Sequence, residues 1–117
     1  MILIVDDNLL FAERMVTMLE EVGLSNIQVA SDHTRAYQFI ERENPGMILL
    51  DINLPGKNGI EILRKLRSDG NTCKVIMITN HADEYYKNLC KDLGADYFLD
   101  KSRDFGRVPE IIKAMQN

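Results

Sequence analysis

Residues 47–59 read Met47-Ile48-Leu49-Leu50-Asp51-Ile52-Asn53-Leu54-Pro55-Gly56-Lys57-Asn58-Gly59. The first four are an apolar run of strand length, too short for a helix. A strand that is apolar at every position suits a sheet covered by helices on both faces, which is the setting of parallel strands. Asp51 then falls at the carboxyl end of that strand, on the edge where open α/β sheets bind their ligands. Pro55 sets a turn, and Gly59 is expected to permit a positive φ.

The same arrangement recurs along the chain. Ile2-Leu3-Ile4-Val5 ends in Asp6-Asp7, Val75-Ile76-Met77-Ile78 ends in Thr79, and Tyr97-Phe98-Leu99-Asp100 ends in Lys101. Ile27 to Ala30 form a further short strand. Between the strands, apolar residues return at helical spacing: Phe11, Met15, Leu19 and Val22; Ala36, Phe39 and Ile40; Ile60, Leu63 and Leu66; Tyr86, Leu89, Cys90 and Leu93; Val108, Ile111, Ile112 and Met115. Gly23, Asn44-Pro45-Gly46, Gly70 and Gly94 close the first four helices. Five strands alternating with five helices make an α/β fold. Right-handed crossovers leave few arrangements, and the commonest is a flavodoxin-like, doubly wound parallel sheet of order 2-1-3-4-5. In that order the first and third strands lie about 4.8 Å apart. Asp6, Asp7 and Asp51 then stand side by side at the switch point.

Size and composition bound the function. The 117 residues make one domain, with 45% hydrophobic and 27% charged residues and a net charge of -4. No basic block marks a direct nucleic-acid binder. The apolar runs of four or five residues are far short of a membrane span. Met1 leads straight into a strand and an acidic pair rather than a secretory signal, so a cytoplasmic location is expected. Cys73 and Cys90 lack metal-ligand spacing and read as free thiols of a reducing compartment.

Three converging carboxylates repel unless one is protonated or a cation neutralises them. Mg²⁺ takes oxygen ligands, keeps several waters, and binds through one or two carboxylates plus phosphate oxygens. The competing reading is that Asp6-Asp7 cap the first helix, one of the pair serving both purposes. Asp51 is the candidate nucleophile, a carboxylate able to accept a phosphoryl group. Mg²⁺, the Lys101 ammonium, the Thr79 hydroxyl and N–H groups after Asp51 would neutralise the equatorial oxygens. Thr79 alone is a strand-end threonine and Lys101 alone a surface charge; their convergence with the acids makes both functional candidates.

From Ile2 to about Met115 these residues resemble a response-regulator receiver domain of two-component signalling. The acidic pair, the phosphoaccepting Asp51, Thr79 and Lys101 follow the first, third, fourth and fifth strands as in that family. The string Asp-x-x-Leu-Pro-x-x-Asn-Gly is similar to its loop. The resemblance implies Mg²⁺ held by Asp7, Asp51 and the main-chain carbonyl of Asn53, with Asp6 acting through water or as a further ligand. It implies a sensor histidine kinase or a histidine phosphotransfer protein as donor. It also implies a switch through Thr79 and Phe98 that alters the fourth helix, fifth strand and fifth helix for a downstream protein target. Phe98 has no hydroxyl, so the switch must work through packing. The chain departs from the pattern at Ser102, where Pro is usual; at Asn80, where a small residue is common; and at His33, where Gly is frequent. His81 is a candidate to stand near the entrance.

Leu9, Leu10 and Phe11 are consecutive on the first helix and cannot all face the core. At least one is expected to be exposed, offering a docking surface for the phosphodonor protein. Competing activities are a Mg²⁺-dependent phosphohydrolase, which would want an Asp where Asn53 stands, and a flavin-binding module, for which the first loop lacks a phosphate cradle. The start at Met1 and the end after the fifth helix favour a stand-alone receiver without an output domain. The alternative is a receiver excised from a longer transcriptional regulator.

Overall fold

The computed structural model describes residues 1–80 and 82–116. Along the chain run β1 (Ile2–Val5), α1 (Leu9–Glu21), β2 (Ile27–Ala30), α2 (His33–Glu43), β3 (Met47–Leu50), α3 (Gly59–Ser68), β4 (Lys74–Thr79), α4 (Glu84–Asp92), β5 (Tyr97–Asp100) and α5 (Val108–Gln116), with a 3₁₀ turn at Phe105–Arg107 before α5. The strands pair in parallel in the order β2-β1-β3-β4-β5, as the sequence predicts. Val5 lies level with Leu50, and Leu50 with Met77.

Alternation along the strands divides the core into two layers. Leu3, Val5, Ile48, Leu50, Val75 and Met77 point to one face and pack with Ala36, Ile62, Leu63 and Cys90 from α2, α3 and α4. Ile2, Ile4, Met47, Leu49, Ile76 and Ile78 point to the other and pack with Ala12, Met15, Leu19, Val108 and Ile112 from α1 and α5. Helix starts are fixed by short polar side chains: Asn8, Asp32, Asn58 and Asp83 each accept the N–H three residues on, from Phe11, Arg35, Glu61 and Tyr86. Two sequence expectations change. Val22 is the C-cap of α1 and is 36% exposed, so the core stripe ends at Leu19. The positive φ in the loop after β3 belongs to Gly56, at +81°, and not to Gly59. Gly59 is required for space: a Cβ there would overlap the carbonyl oxygen of Asp51, and its N–H donates to Ile52 O at 2.7 Å.

Arg67 at the end of α3 fastens the α4–β5 corner. Its guanidinium donates to Gly94 O at 3.0 and 2.8 Å and to Asn71 O at 2.9 Å. Asp96, whose carboxylate accepts the Val75 N–H at 2.9 Å, stands 3.5 Å away. Arg67→Ala strips the donors from two carbonyls and is expected to cost about 1–3 kcal/mol, measured by urea unfolding.

Candidate functional site

The predicted strand ends meet. Asp6 is 1% exposed and Asp51 4%, whereas Asp7 is open to solvent. One carboxylate oxygen from each of Asp6, Asp7 and Asp51 lies within 4.8 Å of the others. Lys101 crosses from the end of β5, its ammonium 2.7 Å from Asp6 Oδ2 and 3.1 Å from Asp51 Oδ2. Thr79 is fully buried at the end of β4, and its carbonyl accepts the Lys101 N–H at 3.0 Å.

The acidic pair is not consumed by helix capping. Asn8 is the N-cap of α1, and Asp6 Oδ1 accepts the Asn8 N–H at 2.8 Å as part of the turn before it. The alternative reading of Asp6-Asp7 as the cap of the first helix is therefore corrected: the neighbouring Asn8 does that work. Asp6 Oδ2 has the Lys101 ammonium close by, but in an orientation that leaves it without a directed hydrogen bond, so a buried acceptor faces the cluster. Asp51 Oδ1 has a long contact from the Asn53 N–H, 3.3 Å. An all-oxygen donor set with open acceptor capacity fits a small hard cation such as Mg²⁺.

The electrostatics agree. Burial pushes the Asp6 carboxyl above its ordinary range; Lys101 and the Asn8 N–H pull it back, and the Asp51 charge pushes it up again. For Lys101, burial is the largest single influence and acts downward, yet Asp6 and Asp51 together carry the ammonium above its ordinary value. Lys101 is thus held charged beside a carboxylate that is uncomfortable as an anion.

The loop after β5 is built by residues the sequence reading did not single out. Asp100 Oδ1 accepts the N–H groups of Ser102 and Arg103 at 2.8 and 2.9 Å. Buried Asp104 returns the bond, accepting the Asp100 N–H at 2.9 Å and Arg107 at 3.1 Å. This reciprocal pair of side-chain turns sets the backbone around Lys101 with Ser102 in the place of Pro. The Asp-x-x-x-Asp spacing was the available signal. Asn80 is exposed and, with Asn8, Phe11, Arg14, Lys101, Ser102, Phe105 and Gly106, lines a polar cavity of about 460 Å³ beside the ammonium. His33 leans on Tyr37 edge-to-face at 6.3 Å and stands against Gly56, bracing the loop after β3. His81 lies outside the described residues. Leu9 and Leu10 are 57% and 67% exposed, while Phe11 turns in against the α1–α5 layer. Phe98 is half-buried against the other layer and Tyr97 is 39% exposed.

Comparison with known proteins gives the same answer as the geometry. The family model of the response regulator receiver domain matches residues 2–113. The transcriptional regulatory protein DegU of Brevibacillus brevis is 33% identical over 115 residues, covering 97% of this chain and 49% of the relative. The alkaline phosphatase synthesis transcriptional regulatory protein PhoP of Bacillus subtilis is 34% identical, over 97% of this chain and 47% of the relative. The chain spans about half the length of these curated relatives. A CheY-like response regulator receiver domain from Methanospirillum hungatei superposes with a TM-score of 0.88 at 30% identity, covering 97% of this chain and 90% of that one. No helix among the described residues is long and apolar enough to cross a membrane. A sheet whose polar strand ends meet around one aspartate, matched from end to end by such relatives, leaves one assignment: the chain belongs to the response regulator receiver domain family, the signalling switches of two-component systems.

Proposed function

We propose that Asp51 is the phosphoacceptor of this receiver and that the chain's chemistry is confined to its own modification. The observation that carries the proposal is the convergence of Lys101 on Asp51 at 3.1 Å within the Asp6, Asp7 and Asp51 cluster. An Asp51 carboxylate oxygen attacks the phosphorus of a phosphohistidine on a sensor histidine kinase or histidine phosphotransfer protein. The O–P bond forms as the P–N bond breaks, and the imidazole nitrogen leaves with the electron pair. Lys101 would neutralise one equatorial oxygen, and the Thr79 hydroxyl and the Asn53 N–H would meet others.

Asp6, Asp7, Asp51 and the main-chain carbonyl of Asn53 are the residues that would hold Mg²⁺. When bound, that ion supplies charge neutralisation at the transferring group and at the crowded carboxylates. Asn53 stands where an aspartate-based phosphohydrolase would need a second acid, which favours a switch over a turnover enzyme. Phosphorylation turns a carboxylate of one negative charge into an acyl phosphate of about two, a net gain of about one negative charge, and adds three strong acceptor oxygens. Thr79 and Phe98 would relay that change to α4, β5 and α5, where a downstream protein target would bind. Residues 1–117 act as a single receiver domain in this reading, and no direct nucleic-acid contact is assigned to them.

Incubation with acetyl phosphate tests the proposal: one phosphoryl group per chain is expected with Mg²⁺, little without it, and none in Asp51→Asn. Modification of Asp51→Asn at the wild-type rate would overturn it. Exposed Leu9 and Leu10 are proposed to dock the donor protein. Leu10→Glu is accordingly expected to slow transfer from a phosphorylated histidine donor while acetyl phosphate still works; equal losses in both assays reject the docking role.

A further inference from the structure

The Lys101 ammonium has three N–H donors, and the carboxylates of Asp6 and Asp51 stand 2.7 and 3.1 Å from it. The ammonium also lies over the ring of Phe11, at 4.4 Å from the centroid. Phe11 is itself held. Phe105, in the 3₁₀ turn that follows the Lys101 loop, meets it edge-to-face at 5.5 Å and 72°. The Arg14 guanidinium, one turn along α1, lies over the Phe105 ring at 5.2 Å. Cation, ring, ring and cation therefore stack in sequence between α1 and the loop after β5, along the wall of the cavity beside Lys101.

We propose that Phe11 is a positioning residue for Lys101: its π face holds the ammonium at the acceptor aspartate, and Phe105 with Arg14 holds the ring. The proposal rests on the reading of Lys101 as the group that neutralises a phosphoryl oxygen. Its physical basis is a difference between the two kinds of partner. Asp6 and Asp51 both change their demands during the reaction, Asp6 toward a bound cation and Asp51 by becoming esterified. The quadrupole of the ring does not change, and a ring face attracts a cation without taking its protons. Lys101 can then turn its N–H groups from carboxylate to phosphoryl oxygen while it stays at the same place. The half-buried setting strengthens the attraction over that at an exposed site.

The test separates ring electrons from ring volume. Phe11→Leu keeps an apolar side chain and removes the π face. A ring-perfluorinated phenylalanine placed at position 11 alone keeps the shape and reverses the quadrupole. Phosphorylation by acetyl phosphate at saturating Mg²⁺ is expected to slow about 2- to 30-fold in both, the range spanned by cation–π energies. Phe11→Tyr, which keeps the face, should recover most of that rate. In a Lys101→Met background the same changes at position 11 should have no further effect, since the partner is gone. Independently of turnover, the ε-methylene protons of Lys101 are expected upfield in the NMR spectrum of the wild type and of Phe11→Tyr, and shifted back in Phe11→Leu. Thermal unfolding of each variant confirms folding before rates are compared. A perfluorinated variant as fast as wild type, equal slowing in the Lys101→Met background, or an unshifted Lys101 methylene would each overturn the positioning role. A wild type that takes up no phosphoryl group would instead refute Asp51 as acceptor, and the NMR readout would still decide the contact.

Discussion

Lys101→Met is expected to destabilise the metal-free protein by about 3–5 kcal/mol at neutral pH, because it leaves two buried carboxylates facing each other with no counter-charge. Against a total of about 5–15 kcal/mol for a domain, that is a large fraction. The ammonium stands 2.7 Å from Asp6 and 3.1 Å from Asp51 and is 8% exposed, so water offers little compensation. The pH dependence has a definite sign. Lys101 is held above its ordinary value of 10.5, so its stabilising contribution is complete below pH 10.5 and is lost as pH rises through the folded value. Toward acid the difference closes for another reason, since protonation of the carboxylates removes their need for a partner. Urea unfolding of wild type and variant across pH should show the gap widest near neutrality. A constant gap would mean the lysine contributes through packing alone.

Asp6→Asn is expected to act in opposite directions on stability and on metal affinity. Burial raises the Asp6 carboxyl above 3.8, so the folded state holds its proton more tightly than the unfolded chain does. The resulting destabilisation is complete above the folded value and is relieved as pH falls toward 3.8. Removing the charge should therefore stabilise the metal-free protein by on the order of 1 kcal/mol above that range. The amide oxygen can still accept the Asn8 N–H, so the turn survives. Mg²⁺ loses one carboxylate of the cluster, and its affinity should fall about 10–100-fold. Thermal unfolding at increasing Mg²⁺ reads both effects: a higher starting midpoint and a flatter rise. A lower starting midpoint with an unchanged rise would place Asp6 outside the cation's reach.

Much of the site was legible in sequence because its residues sit where a strand stops. A run such as Met47–Leu50 fixes the strand, parallel topology fixes which end faces the ligand, and the next residue is then placed without further information. Asp6, Asp51 and Lys101 follow that logic, and Thr79 is the last residue of its own strand, which runs one residue further than the apolar run. What the sequence concealed depends on contacts between distant segments. Arg67 looks like an ordinary solvated residue at a helix end until Gly94 and Asn71 present their carbonyls to it. Gly59 looks like a conformational glycine, and only the closeness of the Asp51 backbone shows that its role is to be small. Val22 continues the helical period of α1, but the helix ends before it and period alone carries no stop. The acidic pair looks like a cap; Asn8, one residue on, has the reach and the direction to take that role. The Phe11, Phe105 and Arg14 stack joins α1 to a turn some ninety residues later, and no local pattern announces it.

Asp51 itself is expected to carry the phosphoryl group. Borohydride reduction converts an aspartyl phosphate to homoserine. Peptide sequencing by mass spectrometry after treatment with acetyl phosphate and Mg²⁺ then reads its position. Homoserine at position 51 and at no other aspartate is the predicted result; homoserine at position 6 or 7, or a phosphoryl group retained on a residue other than aspartate, would contradict it.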